Sequence, residues 1–277
     1  VMDRIRLIAS DMDATLLNEQ SQLPADFEET IHALAELGIR FAPASGRPLY
    51  TLEAMFPTLQ NELVFIGDNG GAIRWKGQNL FTSEMSPEGW RALNRLTREQ
   101  GDIAVLCGLE SAYVERPFAV HDAVLRHFYT KIEYVDRLED VTAPADKFTI
   151  YLPQHNAQQA YDTVYASQRS IYSVAVAGEC WVDIMNPGVH KGAALQTLGQ
   201  LWGLPSESIM AFGDTYNDAE MLTTAKYGFL MENGSEPLRQ KVPFLAPSHR
   251  EAGVMQVLHR VLAQNGCVCP EDFVPAH

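Results

Sequence analysis

The sequence predicts an α/β fold in which a parallel sheet with crossover helices is interrupted by an inserted α+β module. Short apolar runs alternate with amphipathic stretches up to about residue 66, as strand–helix–strand passages do. From about residue 84 the pattern changes to closely spaced strand-length runs joined by Gly or Ser turns. After Asn186-Pro187-Gly188 the strand–helix alternation resumes. The expected organisation is a core domain assembled from residues 1–84 and 187–277, with a second domain, 85–186, set between its halves. A chain of 277 residues suits two domains, or one with a large insertion.

Ile5, Leu7, Ile8 and Ala9 form the first apolar run and read as a buried strand. Pro24 to Gly38 reads as a helix: the proline suits its first turn, Phe27, Ile31, Leu34 and Leu37 recur at helical spacing, and glycine stops it. Ile39 to Ala44 is a second strand, residues 49–57 a helix, and Leu63 to Ile66 a third strand. In the insertion, Ser86 caps a helix that runs to Gln100 with Pro87 in its first turn. Strands follow at 102–107 and 111–115, then a helical stretch near 118–128. Lys147–Leu152, Ile171–Ala177 and Cys180–Met185 read as strands and His155–Gln168 as a helix, giving an antiparallel sheet with helices on one face. The second half of the core continues with a helix (His190–Trp202), a strand (Ser208–Phe212), a helix (Asn217–Ala225), a strand (Tyr227–Met231) and a helix (Arg250–Gln264).

Composition narrows the function classes. The formal charge is −14, which argues against a nucleic-acid partner, because displacing counterions from a phosphate backbone needs a basic surface. No apolar stretch approaches the roughly 18 residues of a membrane span, and no membrane partner is expected. The first residues carry Asp3, Arg4 and Arg6 and no secretory pattern. Cys107, Cys180, Cys267 and Cys269 are too scattered for a disulfide framework, and a cytoplasmic location fits best. No Gly-x-Gly-x-x-Gly opens the first crossover helix, which disfavours a dinucleotide-dependent oxidoreductase.

The chemistry lies at strand ends. Asp11-Met12-Asp13-Ala14-Thr15 leaves the first strand directly, and two carboxylates one residue apart repel each other unless a positive charge sits between them. Mg²⁺ suits such a site, since it takes one or two carboxylates plus phosphate oxygens. Ser45-Gly46-Arg47 ends the second strand and offers a hydroxyl and backbone N–H groups for an anion. Gly213-Asp214-Thr215-Tyr216-Asn217-Asp218 follows a later strand and places Asp214 and Asp218 across a loop-to-helix junction. Lys191 opens a helix, where a cation opposes the helix dipole and gains from a bound anion. Each motif also has a plainer reading: a turn at Asp11 and at Ser45, a helix cap at Asp214 or Thr215, a solvated lysine at 191.

Taken in this order, Asp-x-Asp, Ser-Gly-Arg, a long insertion, Gly188-x-x-Lys191-Gly192 and Gly213-Asp214-x-x-Asn217-Asp218 resemble the haloacid dehalogenase superfamily of phosphohydrolases. The resemblance is closest to its Cof-type branch (subfamily IIB) and covers nearly the whole chain. Asn69-Gly70, after the third strand, resembles another recurrent element of the branch, while Ala14 stands where the branch usually has glycine. The resemblance implies a Rossmann-like parallel-sheet core with an inserted C2-type α+β cap. It also implies a Mg²⁺-dependent phosphatase of small phosphomonoesters, such as sugar phosphates, pyridoxal phosphate or related metabolites.

By position, the resemblance makes Asp11 the nucleophile that forms an aspartyl-phosphate and Asp13 the acid and base. Mg²⁺ would be held by the Asp11 carboxylate, the Asp13 backbone carbonyl and Asp214, with Asp218 orienting this shell. Ser45, Lys191, Asn217 and the N–H groups of Met12 and Gly46 would bind the phosphoryl oxygens. The insertion would close over the site and hold the leaving group, with Arg116, His121, Glu179, Trp181 and Asp183 as candidates. Arg47 and Asn69 are further substrate candidates, from the core. A phosphomutase and a catalytically decayed phosphate-binding protein are the alternatives, and a monomer or homodimer is expected.

Overall fold

The computed structural model of the protein describes residues 1–277. Its central sheet has nine strands, in the order Val274–Pro275, Phe244–Ala246, Tyr227–Met231, Ile209–Gly213, Leu7–Asp11, Arg40–Ala44, Val64–Gly67, Ala72–Trp75 and Gln78–Thr82. The strands from Phe244–Ala246 to Val64–Gly67 are parallel, and the outer ones pair antiparallel. Alternating side chains fill two separate cores. Ile8, Phe41, Phe65 and Phe229 pack with the helices Phe27–Glu36 and Gly253–Ala263 on one face. Leu7, Ala42, Val64 and Ala211 pack with Lys191–Trp202 and Ala219–Thr224 on the other. This is a three-layer doubly wound architecture.

Register fixes where the polar loops emerge. Asp11 pairs with Ala44, and Ser10 with Phe212, so the loops beginning at Met12, Ser45 and Asp214 leave three adjacent parallel strands on the same edge. The middle of these, Leu7–Asp11, is the first strand in the sheet, flanked by strands reached through connections in opposite directions. A parallel sheet opens its crevice at such a switch point.

A second sheet of six strands runs in the order Ser173–Val176, Trp181–Met185, Ala145–Tyr151, Ile103–Gly108, Ala112–Glu115 and Ile132–Val135. Its pairs are antiparallel except the last, which is parallel. Phe148, Ile150, Val182 and Ile184 pack against Trp90, Leu93 and Ala157, from the helices Pro87–Glu99 and Ala157–Asp162. The helices are not confined to one face as expected. Asp122–Phe128 lies on the other, where Leu125 packs with Val105 and Val114.

Three further differences have local causes. Pro24 precedes the first helix, which begins at Phe27 with Glu28 and Glu29 in its first turn, where acids favour the helix dipole. The hairpin Ala72–Trp75/Gln78–Thr82 has no counterpart in the sequence pattern; Lys76 and Gly77 both have positive φ (51° and 73°), the geometry of a tight two-residue hairpin turn. The strands Ile132–Val135 and Phe244–Ala246 also escape that pattern, being three or four residues at sheet margins where burial is incomplete. No helix is long and apolar enough to cross a membrane.

Candidate active site

At the carboxyl edge of the central sheet, Asp11, Asp214 and Asp218 have oxygens within 4.8 Å of one another. The strand Leu7–Asp11 delivers the first, and the turn after Ile209–Gly213 delivers the others. Gly213 permits this crowding, since a Cβ there would lie 2.5 Å from the Asp218 Cβ. Asp218 accepts hydrogen bonds at Oδ2 from the backbone N–H groups of Asp214 (3.0 Å) and Thr215 (3.2 Å). The capping reading of this loop is therefore correct, with Thr215 as the cap and Asp218 closing the box. It leaves Asp218 Oδ1 facing inward. Asp214 is in turn fixed by the Thr15 hydroxyl, 3.0 Å from its Oδ1.

Lys191 enters this cluster from the first turn of its helix, capped by His190. Its Nζ lies 2.7 Å from both Asp11 Oδ1 and Asp218 Oδ1, and its side chain is only 1% exposed. Gly192 allows the approach: a Cβ there would meet the Glu220 backbone at 2.6 Å. Burial works against the Lys191 ammonium, but Asp11 and Asp218 outweigh it and hold its pKa above the ordinary lysine value. Burial also raises Asp11 well above an ordinary carboxylate, with Asp218 repulsion adding and Lys191 opposing. Asp214 is raised as well, again chiefly by burial. One buried lysine among three acids leaves negative charge uncompensated, a situation that a divalent cation relieves.

Asp13 points elsewhere. Its carboxylate forms a two-pronged pair with Arg47, Oδ2 to Nη1 at 2.8 Å and Oδ1 to Nη2 at 3.2 Å. Arg47 is buried while Asp13 is largely exposed, and the guanidinium also lies over the Phe128 ring at 5.7 Å. Of Met12, only the peptide group is available to a ligand, because its side chain is buried in the core. Ser45, Gly46, Arg47 and Asn217 line one cavity of about 400 Å³ together with Asp11, Asp13, Lys191 and Asp214.

Between Asp11 and Thr15 the chain makes a wide turn closed by Leu17 N–H donating to Met12 C=O (2.9 Å). Ala14 adopts φ +57° there, a left-handed conformation that favours glycine, and its carbonyl accepts from Asn233 Nδ2 (2.8 Å). The strain is on the order of 1 kcal/mol, partly offset by the flexibility that glycine adds to the unfolded chain. Ala14→Gly should therefore raise the thermal midpoint by about 1–2 °C without loss of activity, as differential scanning fluorimetry and an initial-rate assay would show.

Facing the core edge, the six-stranded sheet presents Thr149 and Asp183 as a cross-strand pair, with Lys147 beside them. Asn69 Nδ2 donates to Asp183 Oδ2 (2.8 Å) and Thr149 Oγ1 to Asp183 Oδ1 (2.7 Å). Lys147 Nζ reaches Asp68 (3.2 Å), Asp183 (3.4 Å) and the Gly46 carbonyl. Asp146 joins the network because the register shifts between Ala145 and Lys147, a bulge that turns two successive side chains toward the core. Asp68 and Asp146 are both buried, with a single lysine nearby to offset their charge. Burial, with Asp68 repulsion adding, pushes Asp146 well above the ordinary carboxylate range, which favours its neutral form in the folded protein.

A raised carboxyl pKa contributes stability below its unfolded value, and that stability is lost as pH rises through the folded value. Asp146→Asn mimics the neutral acid. It should match the parent near pH 4 and exceed it by about 2–4 °C near pH 8, roughly 1 kcal/mol, in thermal unfolding followed across pH.

Trp181 and Asp183 both line the cavity, as do Asn69 and Lys147. Arg116, His121 and Glu179 do not. Arg116 pairs with Asp136 on the surface, Glu179 with His155, and His121 lines a separate cavity in the inserted module. Residues missed from sequence include Lys147, Phe128, Tyr129 and Thr15. A lysine inside the apolar run Ala145–Tyr151 was the visible signal for Lys147. The other three carried none, because their partners are distant in sequence.

A doubly wound sheet with three acids and a buried lysine at its switch point, under a second α+β sheet, defines a phosphohydrolase-type site. A profile of haloacid dehalogenase-like hydrolases matches residues 8–258. The chain belongs to this family and is a phosphatase. It is 32% identical over 262 residues (93% of this chain, 96% of the relative) to the 5-amino-6-(5-phospho-D-ribitylamino)uracil phosphatase YbjI of Escherichia coli K12. It is 31% identical over 249 residues (87% and 89%) to the HMP-PP phosphatase of Cronobacter sakazakii. The solved structure of SMU.1108c from Streptococcus mutans UA159 superposes with a TM-score of 0.86 at 29% identity, over 94% of this chain and 99% of that one. The subclass IIB sugar phosphatase BT4131 shares the fold, with a TM-score of 0.79 at 20% identity, over 92% and 98%.

Proposed function

We propose that the protein is a Mg²⁺-dependent phosphatase of small phosphorylated metabolites, such as sugar phosphates or pyridoxal phosphate, working through an aspartyl-phosphate on Asp11. The observation that carries this reading is the pair of 2.7 Å contacts by which one buried lysine joins Asp11 to Asp218, with Asp214 alongside. Three crowded carboxylates form a hard-oxygen donor set suited to Mg²⁺, and the excess negative charge gives them reason to hold it. Asp11 and Asp214 would bind the ion, with the Asp13 carbonyl, and Asp218 would orient them. Bound there, the ion would screen phosphoryl oxygens from the surrounding acids.

In this reading an Asp11 oxygen attacks phosphorus as the bond to the leaving alkoxide breaks. Lys191, the Ser45 hydroxyl, Asn217 and the Met12 and Gly46 N–H groups hold the phosphoryl oxygens in place. Asp13 gives its proton to the leaving oxygen, then takes one from the water that attacks the aspartyl-phosphate, which frees phosphate and restores Asp11. Arg47 engages both oxygens of Asp13 in the free protein, so that pair must open before Asp13 can carry a proton. The exposure of Asp13 leaves it room to swing.

Residues 85–186 would act as the cap that shields the site from water. The four free cysteines suit a reducing compartment, and we place the enzyme in the cytoplasm. The test is phosphate release from p-nitrophenyl phosphate with Mg²⁺, with EDTA, and with Mg²⁺ restored. Turnover that disappears and returns with the metal supports the reading; turnover indifferent to EDTA, or none across a phosphoester panel, overturns it.

A further inference from the structure

The cavity has two chemically different ends. Acids, Lys191, Ser45 and Asn217 line the core end, while Phe128, Tyr129, Cys180 and Trp181 line the opposite one. We propose that this second end is a stacking site for a flat conjugated ring. The preferred substrates are then phosphate esters whose leaving group carries a heteroaromatic ring close to the phosphate. The inference rests on the phosphatase reading and narrows its substrate class.

Trp181 is held rigidly for such a role. Its ring centroid lies 4.7 Å from Tyr151, 5.1 Å from Phe128 and 6.1 Å from Tyr129. Phe128 is braced in turn by the Arg47 guanidinium at 5.7 Å. A platform fixed by its neighbours loses little side-chain freedom when a ring lands on it. It remains only partly buried, so part of it stays accessible within the cavity.

The polar groups beside the platform favour a ring over a polyol. Lys147 is engaged by Asp68, Asp183 and the Gly46 carbonyl. Both Asp183 oxygens already accept, from Thr149 and from Asn69. The Tyr129 hydroxyl accepts from the Cys107 thiol at 3.7 Å. Asn69 Oδ1 is a cavity-lining acceptor without a partner, so a sugar entering this end would find one free acceptor there for its several hydroxyls, and each hydroxyl left unpaired is costly. A conjugated ring gains from dispersion and stacking on Trp181 and Phe128 and needs few polar partners.

The test compares kcat/KM for pyridoxal 5′-phosphate, glucose 6-phosphate and acetyl phosphate, all with Mg²⁺. The parent protein should favour pyridoxal 5′-phosphate over glucose 6-phosphate by about tenfold or more, the size of one good base–aromatic stack. Trp181→Ala should lower the ratio of pyridoxal 5′-phosphate to acetyl phosphate activity about tenfold, mainly through KM, and Trp181→Phe should restore most of it. Phe128→Leu should move the ratio the same way, which guards against a misfolded Trp181→Ala. Glucose 6-phosphate turned over as well as pyridoxal 5′-phosphate, or ratios unmoved by the folded variants, overturns the stacking site while the phosphatase reading stands. No turnover of any of the three esters by the parent protein removes both.

Discussion

Asp11→Asn is expected to lower Mg²⁺-dependent turnover of p-nitrophenyl phosphate by on the order of 10³-fold or more, as loss of a covalent nucleophile does. An amide nitrogen or oxygen attacks phosphorus far less readily than a carboxylate. The fold should survive the change. Lys191 keeps its 2.7 Å contact with Asp218, which remains tied to the Asp214 and Thr215 N–H groups. Replacing Asp11 also removes a carboxylate that burial first, and Asp218 repulsion second, hold above the ordinary pKa. The thermal midpoint should accordingly stay level or rise. A variant that folds and keeps more than about a tenth of the parent rate would remove Asp11 from the reaction, and the aspartyl-phosphate with it.

Lys191→Met should have the largest effect on stability. The lysine is the one cation in contact with Asp11 and Asp218, and both it and Asp218 are shut off from water. Methionine fills a similar volume but leaves the buried carboxylates without their counter-charge. Breaking a buried pair from one side costs about 3–5 kcal/mol, or roughly 6–15 °C for a chain of this size. Mg²⁺ should then raise the variant's midpoint more than the parent's, because the ion supplies the positive charge that has been lost. Thermal unfolding with and without Mg²⁺ measures both quantities. An unchanged midpoint would show that Lys191 does not compensate the acid cluster.

Much of the core was legible because its signals are local. Leu7, Ile8 and Ala9 alternate between two buried faces, so the strand had to read as an apolar run. Phe27, Ile31 and Leu34 recur at helical spacing and all lie in the core. Asp11, Asp214, Asp218 and Lys191 were each conspicuous at the end of a strand or the start of a helix, and the parallel registers bring them together. The short strand Ile132–Val135 and the hairpin after Val64–Gly67 were not legible, because strands of four or five residues with few buried side chains leave little pattern.

Sequence by itself determined a parallel sheet with crossover helices, the presence of a long insertion and the set of acids at strand ends, since hydrophobic period and strand-end position are properties of neighbouring residues. Only the tertiary structure decided the rest: that Arg47 engages Asp13, that Asp68, Asp146, Lys147 and Asp183 meet between the two sheets, and that Trp181 faces the cavity. Those contacts depend on register, on the bulge at Asp146 and on how one sheet sits above another, and such distances in space leave no mark on residues adjacent in the chain.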